Sequence, residues 1–65
     1  MKLRLTMNLD NSAFDNNGIS REAATILESL IVRLNDLDSG DVFEQSPFVL
    51  IDSNGNRVGK AEFFE

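Results

Sequence analysis

Pro47-Phe48-Val49-Leu50-Ile51-Asp52-Ser53-Asn54-Gly55-Asn56-Arg57-Val58-Gly59-Lys60-Ala61-Glu62-Phe63-Phe64 is the stretch that decides the fold. Its opening run is apolar and partly β-branched, which suits a strand. Pro47 fits the first strand position, where the missing N–H costs least. Asp52 to Asn56 is turn chemistry. Asn54-Gly55 suits a two-residue type I′ turn, and Asp52 first with Gly55 fourth equally suits a type I turn followed by a G1 bulge. The two options differ by one residue of register, so the faces of the hairpin stay open at this level. Arg57 to Phe64 is the returning strand.

Working toward the N-terminus, Ala23, Leu27, Leu30, Leu34 and Leu37 are spaced four, three, four and three apart. Ile26 and Ile31 widen that stripe, while Glu28, Arg33 and Asn35 fall opposite. This predicts an amphipathic helix over residues 20–37. Ser20 suits its N-cap, and Glu22 suits the positive end of its dipole. Read as a coiled-coil seam the stripe covers little more than two heptads, so packing on the chain's own sheet is the better reading. At the start, Met1, Leu3, Leu5, Met7 and Leu9 alternate with Lys2, Arg4, Thr6, Asn8 and Asp10. Period two over residues 1–10 predicts a half-buried strand.

The order is therefore strand, helix, strand, strand. We expect one α+β domain spanning residues 1–65. A three-stranded sheet would carry one amphipathic helix on one face. If the first strand ran parallel to its neighbour, the crossover would be right-handed. Leu27, Leu30 and Leu34 are expected to be buried against Leu5 and Met7. Residues 11–18 and 36–46 read as loops. Phe14 is out of place in the first, either folding back onto the core edge or standing out as an anchor for a partner.

Composition narrows the chemistry. The chain has 65 residues, no Cys and no His. A disulfide, a thiolate metal site and the usual neutral-pH base are thus absent. Asp52-Ser53-Asn54-Gly55-Asn56 superficially resembles a calcium loop, but that pattern needs Gly sixth and Glu twelfth. Here Gly55 is fourth and Phe63 twelfth. No spacing brings two carboxylates onto one buried face, no phosphate loop is present, and no Ser has a suitable base. The chain is expected not to be an enzyme and to take no cofactor and no metal. Its −5 net charge opposes nucleic acid and suits a basic protein surface. No apolar run approaches the ~20 residues of a membrane span, and the alternating N-terminus is no signal peptide, so a cytoplasmic setting is expected.

Two interaction surfaces are expected. Asp36, Asp38, Asp41 and Glu44, with Phe43 among them and no basic residue between, form an acidic segment for a partner. The hairpin and its neighbours hold too many apolar residues for one sheet face. Phe48, Leu50, Phe63 and Phe64 are therefore candidates for a homodimer interface on the face the helix leaves open. Lys2, Arg4, Arg57 and Lys60 lie on strands near Phe48, Phe63 and Phe64, a weak pattern for nucleic acid; cross-strand pairing with Asp52 and Glu62 is the plainer reading.

The opening Met1-Lys2-Leu3-Arg4-Leu5-Thr6-Met7-Asn8-Leu9-Asp10-Asn11-Ser12-Ala13-Phe14 and the closing Asp52-Ser53-Asn54-Gly55-Asn56-Arg57-Val58-Gly59 resemble a group of short acidic proteins from bacteriophages and integrated mobile elements. The resemblance covers most of the chain and rests on structural motifs. It implies an accessory phage gene product in the host-cell cytosol. By analogy with anti-CRISPR proteins, such a product would bind and block a host nuclease or defence complex. Its carboxylates would face Lys or Arg that normally hold phosphates. The alternatives are a homodimeric accessory or structural protein without inhibitory role, and a weak nucleic-acid-binding module.

Overall fold

The computed structural model describes residues 1–37 and 41–65. The chain runs β1 (Lys2–Met7), α1 (Ser12–Asn17), α2 (Ile19–Asn35), α3 (Val42–Gln45), β2 (Phe48–Ile51) and β3 (Arg57–Phe64). The strands form one sheet in the order β1-β3-β2, with both pairings antiparallel. This is the expected α+β arrangement of three strands and a principal helix. Because β1 runs antiparallel to β3, the conditional right-handed crossover does not arise.

The hairpin resolves the register that the turn residues left open. Gly55 N–H donates to Asp52 O at 3.0 Å, and Gly55 takes φ +84°. That is the Asp52-first turn, in which the glycine follows in the left-handed region. A second irregularity follows. Leu50 pairs with Gly59 but Ile51 pairs with Arg57, so Val58 is the extra residue of a bulge. Two successive residues of a bulged strand oppose one on the partner, which breaks strict alternation. Val58 is accordingly buried in the core.

The core cluster is Phe14, Ile26, Leu30, Phe48, Leu50, Val58 and Ala61. Its composition corrects the expected one. On α2 the buried positions are Glu22, Ile26 and Leu30. The stripe is thus rotated from the Leu row: Leu27 is exposed and Leu34 half-buried. Leu5 is exposed too, and Met7 only packs against the margin of the core. The physical cause is placement. α2 packs on β2, beyond which Ser29 and Arg33 line a shallow cleft with Val49 and Ile51. β1 lies at the far side of the sheet, and among the described residues the main helix contacts go to β2 and β3 rather than to it.

Residues 11–18 are not a loop. Ser12–Asn17 forms a helical turn and a half, and Gly18 at φ +90° breaks it from α2. α2 therefore starts at Ile19 with Gly18 at its N-cap, and Ser20 is an exposed first-turn residue rather than the cap. α1 exists to place Phe14, which is fully buried at the centre of the core, not at its edge and not as an external anchor. Val42–Gln45, read as loop, is likewise a short helix.

Candidate functional site

The acidic segment lies around the C-terminal end of α2 and the short α3. Asp36 is the exposed C-cap of α2. It lines a cleft of about 360 Å³ together with Arg33, Leu37, Gln45, Pro47, Phe48 and Val49, so the end of α2 and α3 meet at one place. Asp41 precedes α3 and is half-buried, whereas Phe43 and Glu44 on α3 are exposed. Phe43 keeps 45% of its surface open. Asp38 lies outside the described residues. Among the described residues the ion pairs join the N-terminal amine to Glu65 and Lys60 to Glu62. Asp36, Asp41 and Glu44 take part in neither.

The candidate dimer residues do not share the open face. Phe48 and Leu50 are buried under α2, and Phe63 packs against the same core, its ring edge-on to Phe48 at 6.1 Å. Only Phe64 faces away, opposite Lys2 in the register. The extra apolar residue that the sequence argument needed to expel is partly absorbed by the bulge at Val58. What the open face does carry is charge. Register places Lys2, Arg4 and Thr6 of β1 beside Phe64, Glu62 and Lys60 of β3, and Ile51 beside Arg57. The Arg4 guanidinium sits 4.6 Å from the Phe64 ring centre, and Lys60 reaches Glu62 at 3.5 Å. Asp52 makes no part of this lattice, contrary to the cross-strand pairing expected of it.

Asp52 belongs instead to a cluster that spacing along the chain did not reveal. Glu22 and Asp52 are both buried. Glu22 accepts from the Ser53 N–H at 2.7 Å, from the Ser53 hydroxyl at 2.7 and 2.8 Å, and from the Asn17 amide at 3.0 Å. Asp52 accepts from the N–H groups of Asn56 and Asn54 at 2.8 and 3.0 Å and from the Asn11 amide at 3.1 Å. The two carboxylates thus tie α1, α2 and the hairpin turn together. This corrects the expectation that no two carboxylates share a buried place. Burial raises a carboxyl pKa, but donors aimed at the anion lower it more. The Ser53 hydroxyl and N–H hold Glu22 below the ordinary carboxylate value, and the Asn56 N–H does the same for Asp52. A carboxylate so held is a weak base toward the Ser53 hydroxyl it already accepts from. No buried polar side-chain atom among the described residues lacks a partner. The cluster therefore reads as a clasp of the fold. Sequence offered one signal for it: Asp52, Asn54 and Asn56 are turn formers whose side chains bond their own backbone.

Among the described residues no group of acidic side chains is placed to hold a metal ion, and no helix is long and apolar enough to cross a membrane. No protein-family model, curated protein or solved structure matches this chain.

Proposed function

We propose that the chain is a non-enzymatic, phage-type binding protein that inhibits a host nuclease or defence complex by covering a basic surface with its acidic end. The observation that supports this is the exposed Phe43 next to Glu44 on α3, in a segment whose Asp36, Asp41 and Glu44 join none of the ion pairs among the described residues. An exposed aromatic side chain in an acidic segment suits a partner presenting Lys or Arg around an apolar spot. Arg33 shares the cleft with Asp36, but most of the opposing charge lies elsewhere in the molecule. Four of the six cations, Lys2, Arg4, Arg57 and Lys60, are on strands that register assigns to the open sheet face. They do not neutralise the α2–α3 end.

The test is the joint substitution of Asp36, Asp38, Asp41 and Glu44 by Asn or Gln. A partner captured from host lysate by the parent chain is titrated with parent and variant at two salt concentrations. The expected result is weaker binding by the variant, with a salt dependence carried by the association rate, because steering acts on encounter. Unchanged affinity with an intact melting transition would remove the acidic mechanism.

One observation favours a second reading. The sheet face that gathers those four cations also carries the half-buried Phe64 beside Arg4, an arrangement that resembles a stacking platform for single-stranded nucleic acid. The −5 net charge acts against it. Fluorescence anisotropy with a labelled single-stranded oligonucleotide decides this reading. Binding that Arg4→Glu abolishes would support it, and no binding at low salt would end it.

A further inference from the structure

We infer that β1 is a docking edge for a second copy of this chain, giving an antiparallel β1–β1 pair in which Leu5 lies opposite the partner's Leu5 and one six-stranded sheet runs through both copies.

The two edges of the sheet differ. β2 is a short edge of four residues, preceded by Pro47 and followed at once by the bulge and turn. Such features blunt an edge. β1 has six residues paired without interruption to β3, and carries no proline and no bulge. Among the described residues its paired neighbour is β3 alone. The Asn8 N–H donates to Val58 O, and Phe63 N–H turns the other way, to the Ser46 hydroxyl. Hydrogen-bonding direction alternates along an antiparallel strand. Lys2, Arg4 and Thr6 therefore direct their backbone groups at β3. Leu3, Leu5 and Met7 direct theirs at the free edge.

Side chains repeat the pattern. Leu3, Leu5 and Met7 pair with Phe63, Ala61 and Gly59, so they lie on the helix side of the sheet, where Met7 packs against the core margin and Leu3 and Leu5 stay exposed. Leu3 is 50% exposed and Leu5 38%; Met1 and Leu9, next to the strand, are 70% and 40% exposed. Four of the large apolar side chains that this chain leaves in water thus come from one short segment.

The register follows from two constraints. Outward-directed residues must meet outward-directed residues, so the paired residue numbers sum to an even value. With a sum of eight, Arg4 faces the partner's Arg4, and only Leu3 and Leu5 supply edge hydrogen bonds. With a sum of ten, Leu5 faces Leu5, Leu3 faces Met7, Arg4 faces Thr6, Lys2 faces Asn8 and Met1 faces Leu9. No like charges meet, all three outward residues bond, and the exposed apolar side chains cover one another on one face. A two-fold axis through the Leu5 pair leaves both copies of α2 on the same side of the joined sheet.

The chain has no native cysteine, which makes the register directly readable. Directly opposed hydrogen-bonded residues sit about 5.5 Å apart at Cα, within disulfide reach. Leu5→Cys, oxidised by glutathione disulfide at micromolar concentration, should form a covalent dimer. Arg4→Cys should not, nor should Ile51→Cys on the β2 edge. Sedimentation should show the parent as a dimer. Thr6→Lys places a cation against the partner's Arg4 twice and should weaken association roughly tenfold; because Thr6 also faces Lys60 within the chain, Thr6→Glu, which meets cations on both sides, should instead leave the dimer at least as tight as the parent. Preferential cross-linking of Arg4→Cys would overturn the register. A parent chain that stays monomeric at 100 micromolar by sedimentation, with Leu5→Cys no faster than Ile51→Cys, would overturn the dimer itself.

Discussion

Phe48 and Leu50 of β2 and Leu3 and Leu5 of β1 are apolar residues on the same face of the sheet, and they meet opposite fates. On the β2 side, Phe48 and Leu50 lie under α2 and are buried together with Phe14, Ile26 and Leu30. On the β1 side every strand residue except Met7 is exposed. The difference lies in what reaches them. One helix of 17 residues covers one half of a three-stranded sheet, and α1 adds Phe14 to that same half. The lesson is that alternation predicts a face and does not say whether anything lies on it.

The largest effect is expected on the covered side, at the most deeply buried ring. Phe14→Ala should cost about 3–5 kcal/mol, as buried aromatic truncations do. A chain of this length has a total reserve on the order of 3–10 kcal/mol. Chemical denaturation should therefore find much of the variant unfolded. Leu3→Ala, its counterpart on the uncovered side, should stay within about 0.5 kcal/mol of the parent in the dissociated chain. A large loss there would mean that β1 is covered after all.

A sharper test concerns how β1 is held. A Cβ at Gly59 would meet the Thr6 carbonyl oxygen and lie 2.9 Å from the Met7 Cα. Both are backbone and cannot yield like a flexible side chain. Gly59→Ala should cost about 1–3 kcal/mol, the range for overpacking. Its signature should be local: amide exchange should quicken in β1 before it does in β2. Uniform quickening would show that the two halves unfold as one.

The smallest effect is pH dependence, which belongs to the covered half. Glu22 and Asp52 have pKa values below their ordinary 4.5 and 3.8. The unfolded chain therefore takes up protons first as pH falls. The stability these groups contribute is fully present above those ordinary values and is lost as pH drops through the depressed folded ones. Melting temperature should fall in that acid range, and Ser53→Ala, which removes the leading cause for Glu22, should make the fall shallower. An equal acid slope in that variant would show that Ser53 does not set the Glu22 pKa.

The parts of the fold legible in the sequence were those with a period. Alternation marked β1, the apolar run and its turn marked the hairpin, and the Leu spacing marked α2. α1 was hidden because six residues rich in Asn and Asp look like a loop, and only burial of Phe14 explains their helical form. The rotation of α2 was hidden because Glu22 is charged, and a charged residue reads as solvent-facing until Ser53 and Asn17 arrive to satisfy it. Both partners of that clasp are distant in kind from any motif: Ser53 lies 31 residues away. The acidic segment was legible as composition, and its relation to the cleft at Asp36 was not. The four exposed apolar residues in and beside β1 were visible as letters, yet the sequence argument placed the spare apolar surface on the hairpin, since it could not know that α2 would pack to one side.

The pairing of Lys2 with Phe64 closes almost the whole chain into one loop. β1 is made before any helix, and β3 after all of them. Its native partner does not exist until synthesis has passed the hairpin turn. Contacts of such long separation form slowly, because the closure entropy must be met before they stabilise anything. For that interval β1 carries both edges unpaired and its leucines uncovered, and it is then that chains are most open to joining one another through it.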